Sequence, residues 1–144
     1  ERPDELWVVF SHFPIIRKYS REGALLAEYR IETTIFKEKE KYNKKMYEKR
    51  PREKVVYMRT SHLSRFFKEH LFILDYVPPR IWIYEIDKKG RLVKTYWAQV
   101  GNEFHETGMV IGDNGETMRF YILQDQPLAR VSVYVPNVNE RRLR

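Results

Sequence analysis

Apolar and polar positions along this chain fall into short β-type runs, and the runs come in pairs. Leu6-Trp7-Val8-Val9 leads, through a connection containing Pro14, to Ile15-Ile16-Arg17-Lys18-Tyr19. Leu71-Phe72-Ile73-Leu74 leads, through Pro78-Pro79, to Arg80-Ile81-Trp82-Ile83-Tyr84. Phe120-Tyr121-Ile122-Leu123 leads, through Pro127, to Arg130-Val131-Ser132-Val133-Tyr134. Each pair is rich in branched and aromatic residues and is broken by a residue that cannot donate to a ladder, so each predicts a β-hairpin. The first two pairs continue alike. Tyr19-Ser20-Arg21-Glu22-Gly23 precedes Leu25-Leu26 and Tyr29, and Ile86-Asp87-Lys88-Lys89-Gly90 precedes Leu92-Val93 and Tyr96. A glycine closing a polar turn predicts a third strand in both. Val55-Val56-Tyr57-Met58 and Met109-Val110-Ile111 are the candidate first strands of the second and third copies, which makes the repeating unit four antiparallel strands.

The spacing carries the same message. Leu71 and Phe120 are 49 residues apart and Arg80 and Arg130 are 50 apart. Leu6 and Leu71 are 65 apart, or 47 once the 18 residues from Lys37 to Lys54 are set aside. A period near 50 with four short strands per unit is the sequence signature of a propeller blade. Through the strand pairs and the turns "YSREGALLAEY" and "IDKKGRLVKTY", about 110 of the 144 residues resemble bacterial six-bladed β-propellers of the NHL-like kind. The resemblance implies an all-β fold of propeller-type repeats, each a four-stranded antiparallel sheet, with one inserted basic helix. It is nearly silent on function, because the shared motifs are turns and strands. The expected organisation is a single propeller-like domain over residues 1–144. A partial first blade covers 5–32, a basic helical insert 33–54, a second blade 55–100, a partial third blade 104–136 and a basic tail 137–144. Three blades cannot close a ring that takes four to eight. Blade faces and strand edges are therefore expected to stand open and to attract other protein. The unfinished ring adds the expectation that the chain is part of a longer polypeptide, the alternative being a short accessory subunit whose open faces a larger assembly covers.

The insert is read as a helix. Thr33-Thr34 offer an N-cap and Pro51 a stop. Ile35, Tyr42 and Met46 fall on one face, with Phe36 and Tyr47 beside them, and the lysines take the rest. The net charge of +7 changes its meaning once it is located. Lys37–Lys54 carries +5 and Glu140–Arg144 carries +2, so the remainder of the chain is electrically balanced. Lys37, Lys41, Lys44, Lys45, Lys49, Arg50 and Arg52 are thus the candidate partner- or anion-binding residues, facing an acidic protein surface or anionic lipid headgroups. Nucleic acid is disfavoured, because the aromatics here fit a packing stripe better than a stacking platform.

Catalytic chemistry finds little support. With no cysteine there is no thiolate metal site, iron–sulfur cluster or cysteine nucleophile. His12, His62, His70 and His105 match no ligand spacing. Gly112-Asp113-Asn114-Gly115-Glu116 lacks the alternating acidic ligands of a calcium loop and reads as a turn. No Gly-x-Ser-x-Gly elbow, P-loop or dinucleotide fingerprint is present. Asp75 and Asp87 sit where strand ends and turns explain them, although Asp75 could point into a central channel. Arg17, Arg80 and Arg130 are expected to serve a neighbouring blade's carboxylate or carbonyl, and Trp7, Trp82 and Trp97 to fill space between blades.

The expected function is accordingly a non-catalytic protein-interaction or scaffold module, a peripheral or accessory subunit of a larger complex, with other protein subunits as constitutive partners and no cofactor or metal. The alternatives are an anionic-surface binder working through the basic insert, and a fragment of a propeller enzyme. No run of about 20 apolar residues offers a membrane span. The starting residue and the absent cysteines place a periplasmic or membrane-peripheral location ahead of a cytoplasmic one.

Overall fold

The computed structural model describes residues 5–49, 58–59, 62–102, 104–115, 117–126 and 129–136; at Lys49 and Gln126 it describes only the backbone. The chain divides into two compact units, Glu1–Ser61 and His62–Arg144. The described residues are mostly β, with three antiparallel sheets, none closed, and one helix.

The first unit holds a three-stranded meander of β1 (Glu5–Val9), β2 (Ile15–Ser20) and β3 (Leu25–Arg30), followed by helix α1 (Thr34–Lys49). The β2–β3 turn forms as its sequence predicts. Gly23 takes a φ of +85°, where a side chain would be strained, and Ser20 Oγ accepts the backbone N–H groups of Glu22 and Ala24. Thr33 caps the helix, its Oγ1 accepting the Phe36 N–H at 3.1 Å.

The second unit contains a four-stranded sheet in the order β4 (Leu63–Phe67), β5 (His70–Val77), β6 (Arg80–Ile86) and β7 (Leu92–Gln99). A three-stranded sheet of β8 (His105–Asp113), β9 (Met118–Gln126) and β10 (Arg130–Tyr134) follows. The first strand of the four-stranded sheet is therefore Leu63–Phe67, in place of the expected Val55–Met58, whose residues 55–57 lie outside the described residues. The reason is the turn. Lys68 and Glu69 connect β4 to β5 with φ of 44° and 67°, a left-handed pair that glycine or asparagine ordinarily fills. Lysine and glutamate gave no turn signal, so the hairpin was invisible in the sequence.

Strand pairing fixes which side chains share a face. Leu74 opposite Ile83, Ile83 opposite Tyr96, and Ile81 opposite Ala98 put Phe72, Leu74, Ile81, Ile83, Tyr96 and Ala98 on one side of the four-stranded sheet. Met109 opposite Ile122 and Ile111 opposite Phe120 put these four on one side of the three-stranded sheet. With Phe104, the two sets form one buried cluster. Phe120 lies at its centre, 5.7 Å from Phe72 and 5.3 Å from Tyr96 between ring centroids. The two sheets of the second unit thus stack face to face. Leu71, Ile73, Tyr84 and Ile86, which alternate with the cluster residues, are buried too, so the four-stranded sheet carries apolar side chains on both faces.

The three arginines serve their own sheets rather than a neighbouring one. Arg17 bonds Glu28 across β2–β3 at 2.7 Å, Arg80 lies over the Trp97 ring at 4.7 Å, and Arg130 Nε donates to Gln124 at 3.0 Å. Trp7 stacks on Tyr29, and Trp82 meets Trp97 on the sheet face opposite the buried cluster.

Candidate functional site

Helix α1 is attached by polar groups, Lys39 among them, and that leaves Lys37, Lys41, Lys44 and Lys45 outward. Phe36, Lys39, Glu40 and Asn43, at helical spacing, are buried, while Ile35, Tyr42 and Met46 are half-buried beside them. The expected stripe was correct in direction but incomplete. It missed three polar residues and included Tyr47, which is exposed. Asn43 is fully buried; its Nδ2 donates to the carbonyls of His12 and Met58 and its Oδ1 accepts the Met58 N–H, each at 2.8 Å. Lys39 donates to the Arg59 carbonyl at 2.7 Å. Glu40 receives Arg30 at 2.6 Å, and Lys44 Nζ stands 3.1 Å from its other oxygen as an ion pair without hydrogen-bond alignment. The Arg30 guanidinium holds the Glu40 carboxyl below the usual range, against the opposing effect of burial. His12 lies in the β1–β2 turn and Arg30 ends β3, so these bonds hold the helix at one end of the sheet.

Of the candidate anion-binding residues, Lys37, Lys41, Lys44 and Lys45 share an exposed stripe of α1 with Glu48, bordered by the buried Glu40. Lys37 is paired with Glu32 at 3.1 Å. Lys41 and Lys45 make no ion pair among the described residues. Lys49 ends the helix with its side chain outside the described residues, and Arg50, Arg52 and the basic tail 137–144 lie wholly outside them.

Three of the four histidines are paired with carboxylates in the second unit. His62 Nδ1 contacts Glu106 Oε1, and its Nε2 lies 3.9 Å from Oδ1 of the fully buried Asp75. His70 Nδ1 meets Glu85 at 2.6 Å, and the other Glu85 oxygen accepts the Tyr96 hydroxyl at 2.6 Å. Burial first, and that carboxylate second, push the Tyr96 hydroxyl far above its usual range, so it stays a donor. His105 pairs with Asp125 at 2.8 Å. Spacing along the chain could not reveal these partners, which come from other strands. His62–Glu106 joins the two stacked sheets and behaves as a polar staple. No cluster of three metal-ligating side chains occurs among the described residues. Asp113-Asn114-Gly115 is a turn, with Asp113 Oδ1 accepting the Gly115 N–H at 2.6 Å and Asn114 Oδ1 the Thr117 N–H at 2.9 Å. Asp87 likewise receives the N–H groups of Lys89 and Arg91.

The most unusual surface is the outer face of the three-stranded sheet. Pairing of Gly108 with Leu123, Val110 with Tyr121, Val131 with Leu123 and Val133 with Tyr121 places all of them on the side away from the buried cluster. Val110 is 55% exposed, Leu123 40%, Val131 57% and Val133 48%, where an antiparallel sheet with one solvated face would carry polar residues. Tyr121 and Leu123 lie across the glycines of β8. A Cβ at Gly112 would meet the Tyr121 ring at 3.0 Å, and one at Gly108 would meet Leu123 at 3.5 Å. The face is thereby flattened as well as apolar. The sequence held the signal, in Val131 and Val133 alternating with polar residues, but strand register was needed to bring β8, β9 and β10 into one patch. Leu6 and Leu25 are also exposed in the first unit, on the face of its sheet that carries Tyr19.

No protein-family model, curated protein or solved structure matches the chain. No helix of the described residues is long and apolar enough to cross a membrane.

Proposed function

We propose that the chain is a non-catalytic protein-interaction module, a propeller-type run of antiparallel sheets left open at its end, acting as a peripheral subunit of a larger complex. The observation that carries this reading is the flat apolar face of Val110, Tyr121, Leu123, Val131 and Val133. A contiguous patch of this kind marks a docking surface on a water-exposed protein, and covering it yields about 25 cal/mol for every Å² of apolar area removed from water. The propeller-type reading is supported by the repeat period near 50 residues and by the stacking of two consecutive sheets over a shared core. An apolar dye tests the face. At about 1 μM protein, a concentration at which weak self-association is negligible, the wild type binds the dye and the Val131→Lys, Val133→Lys double variant loses most of that signal with unchanged far-ultraviolet circular dichroism. Equal dye binding by the two proteins contradicts the reading.

A second reading has its own observation, the exposed stripe of Lys37, Lys41, Lys44 and Lys45 on α1. Such a stripe fits an anionic surface. Binding to vesicles containing phosphatidylserine, lost steeply as salt rises from 50 to about 200 mM, favours it; salt-insensitive association favours the apolar face.

A further inference from the structure

We infer that the outer face of the β8–β9–β10 sheet docks on the same face of a second copy of this chain, through a two-fold axis near the middle of β9. The inference rests on the reading of that face as a docking surface and names its partner. The argument begins with the order of residues along β9. Arg119 points to the outer face, opposite Gly112, near one end of the strand, and makes no ion pair among the described residues. Tyr121 and Leu123 follow on the same face. Asp125 stands exposed at the far end, where β8 and β9 are bulged and His105 bonds its carboxylate. The sequence of charges is thus positive, apolar, apolar, negative over about 20 Å of strand.

Two identical strands laid antiparallel about Ile122 bring Arg119 of each copy to Asp125 of the other, with the apolar residues facing one another in between. Such self-complementarity is what an isologous two-fold contact requires. A different protein would need the opposite pattern on its own surface, whereas a second copy supplies it by symmetry. The shape fits as well. The side chains of Tyr121 and Leu123 fold over Gly112 and Gly108 and leave a face smooth enough for two sheets to pack at the usual spacing of about 10 Å. Three strands by the length of β9 give a planar footprint on the order of 400 Å² per copy. That is small beside the roughly 800 Å² per partner of standard interfaces, so the dimer is a weak one, forming at micromolar or higher concentration.

The experiment is sedimentation of the full chain between about 1 and 300 μM, the range in which so small an interface associates. Wild type shifts from 17.6 kDa towards twice that mass. Arg119→Asp and Asp125→Arg, tested separately, each weaken association at least tenfold. When the two variants are mixed, every charge meets its opposite across the mixed dimer, and association returns to within about threefold of wild type. The Arg119→Asp, Asp125→Arg double variant recovers alone for the same reason. Thermal melting confirms that each variant is folded. A chain that stays monomeric throughout, yet binds apolar dye at this face, overturns the second-copy inference and leaves the docking surface standing. Loss of dye binding as well removes both. A dimer indifferent to either charge change, or single variants that fail to recover on mixing, also overturns the inference and moves the contact to another face.

Discussion

The second unit sets eleven apolar side chains in one buried cluster between two sheets, while among the described residues of the first unit the buried apolar side chains are Pro14, Ile16, Ile31 and Phe36, and the helix is fixed with Lys39, Glu40 and Asn43. Apolar packing is non-directional and its contributions accumulate with area, so a core of this type loses stability in proportion to what is removed. Polar pins are directional. Each adds about 1 kcal/mol when made, but removing one partner leaves the other buried and unbonded at a larger cost. The first unit is therefore the one whose order depends on a few specific atoms. Its helix keeps Lys37, Lys41, Lys44 and Lys45 outward only while Asn43 and Glu40 stay bonded on the opposite side.

The largest effect that bears on this contrast is at the centre of the core. Phe120→Ala removes the ring that meets both Phe72 and Tyr96 and is expected to cost about 3–5 kcal/mol, read in urea unfolding from Trp82 and Trp97 of the second unit. Asn43→Leu keeps the volume but strands two carbonyls and one N–H; a loss of roughly 2–3 kcal/mol is expected, read from Trp7 in a variant retaining only that tryptophan. Equal sensitivity of both probes to both substitutions would erase the distinction between the units. A smaller change, of opposite sign, comes from the β4–β5 turn. Glu69→Gly relieves a left-handed residue, whose ion pair to Lys88 is exposed, and is expected to stabilise by about 0.5–1 kcal/mol; the denaturant midpoint reports it. The smallest is a pH effect. The folded-state carboxyl of Glu40 titrates below its ordinary 4.5, so its contribution is complete above that value and fades as pH falls through the lowered one. Glu40→Gln should flatten that acid limb in melting curves of the first unit.

Legibility in the sequence followed the reach of the responsible forces. Strands at Leu71, Arg80, Phe120 and Arg130 were readable because local β preference and proline or glycine turns agree there. The β4 hairpin was not, because its turn uses Lys68 and Glu69 against their preference. The lysine stripe was readable from helical periodicity, yet its polar attachment was hidden, since the partners of Asn43 lie 31 and 15 residues away. The outer face of the third sheet depended on a register between three strands, which no single run of residues states.

A single label addresses the central claim, that a second copy of the chain covers this outer face. The chain has no cysteine, so Val133→Cys gives a unique attachment point for a polarity-sensitive fluorophore, and Leu25→Cys gives a matched one on the first unit. The account predicts that emission from position 133 shifts to shorter wavelength as the protein is concentrated from about 1 to 300 μM, the range set by its small footprint, while position 25 stays water-like. Water-like emission from both positions across that range, or the same shift at both, would contradict it.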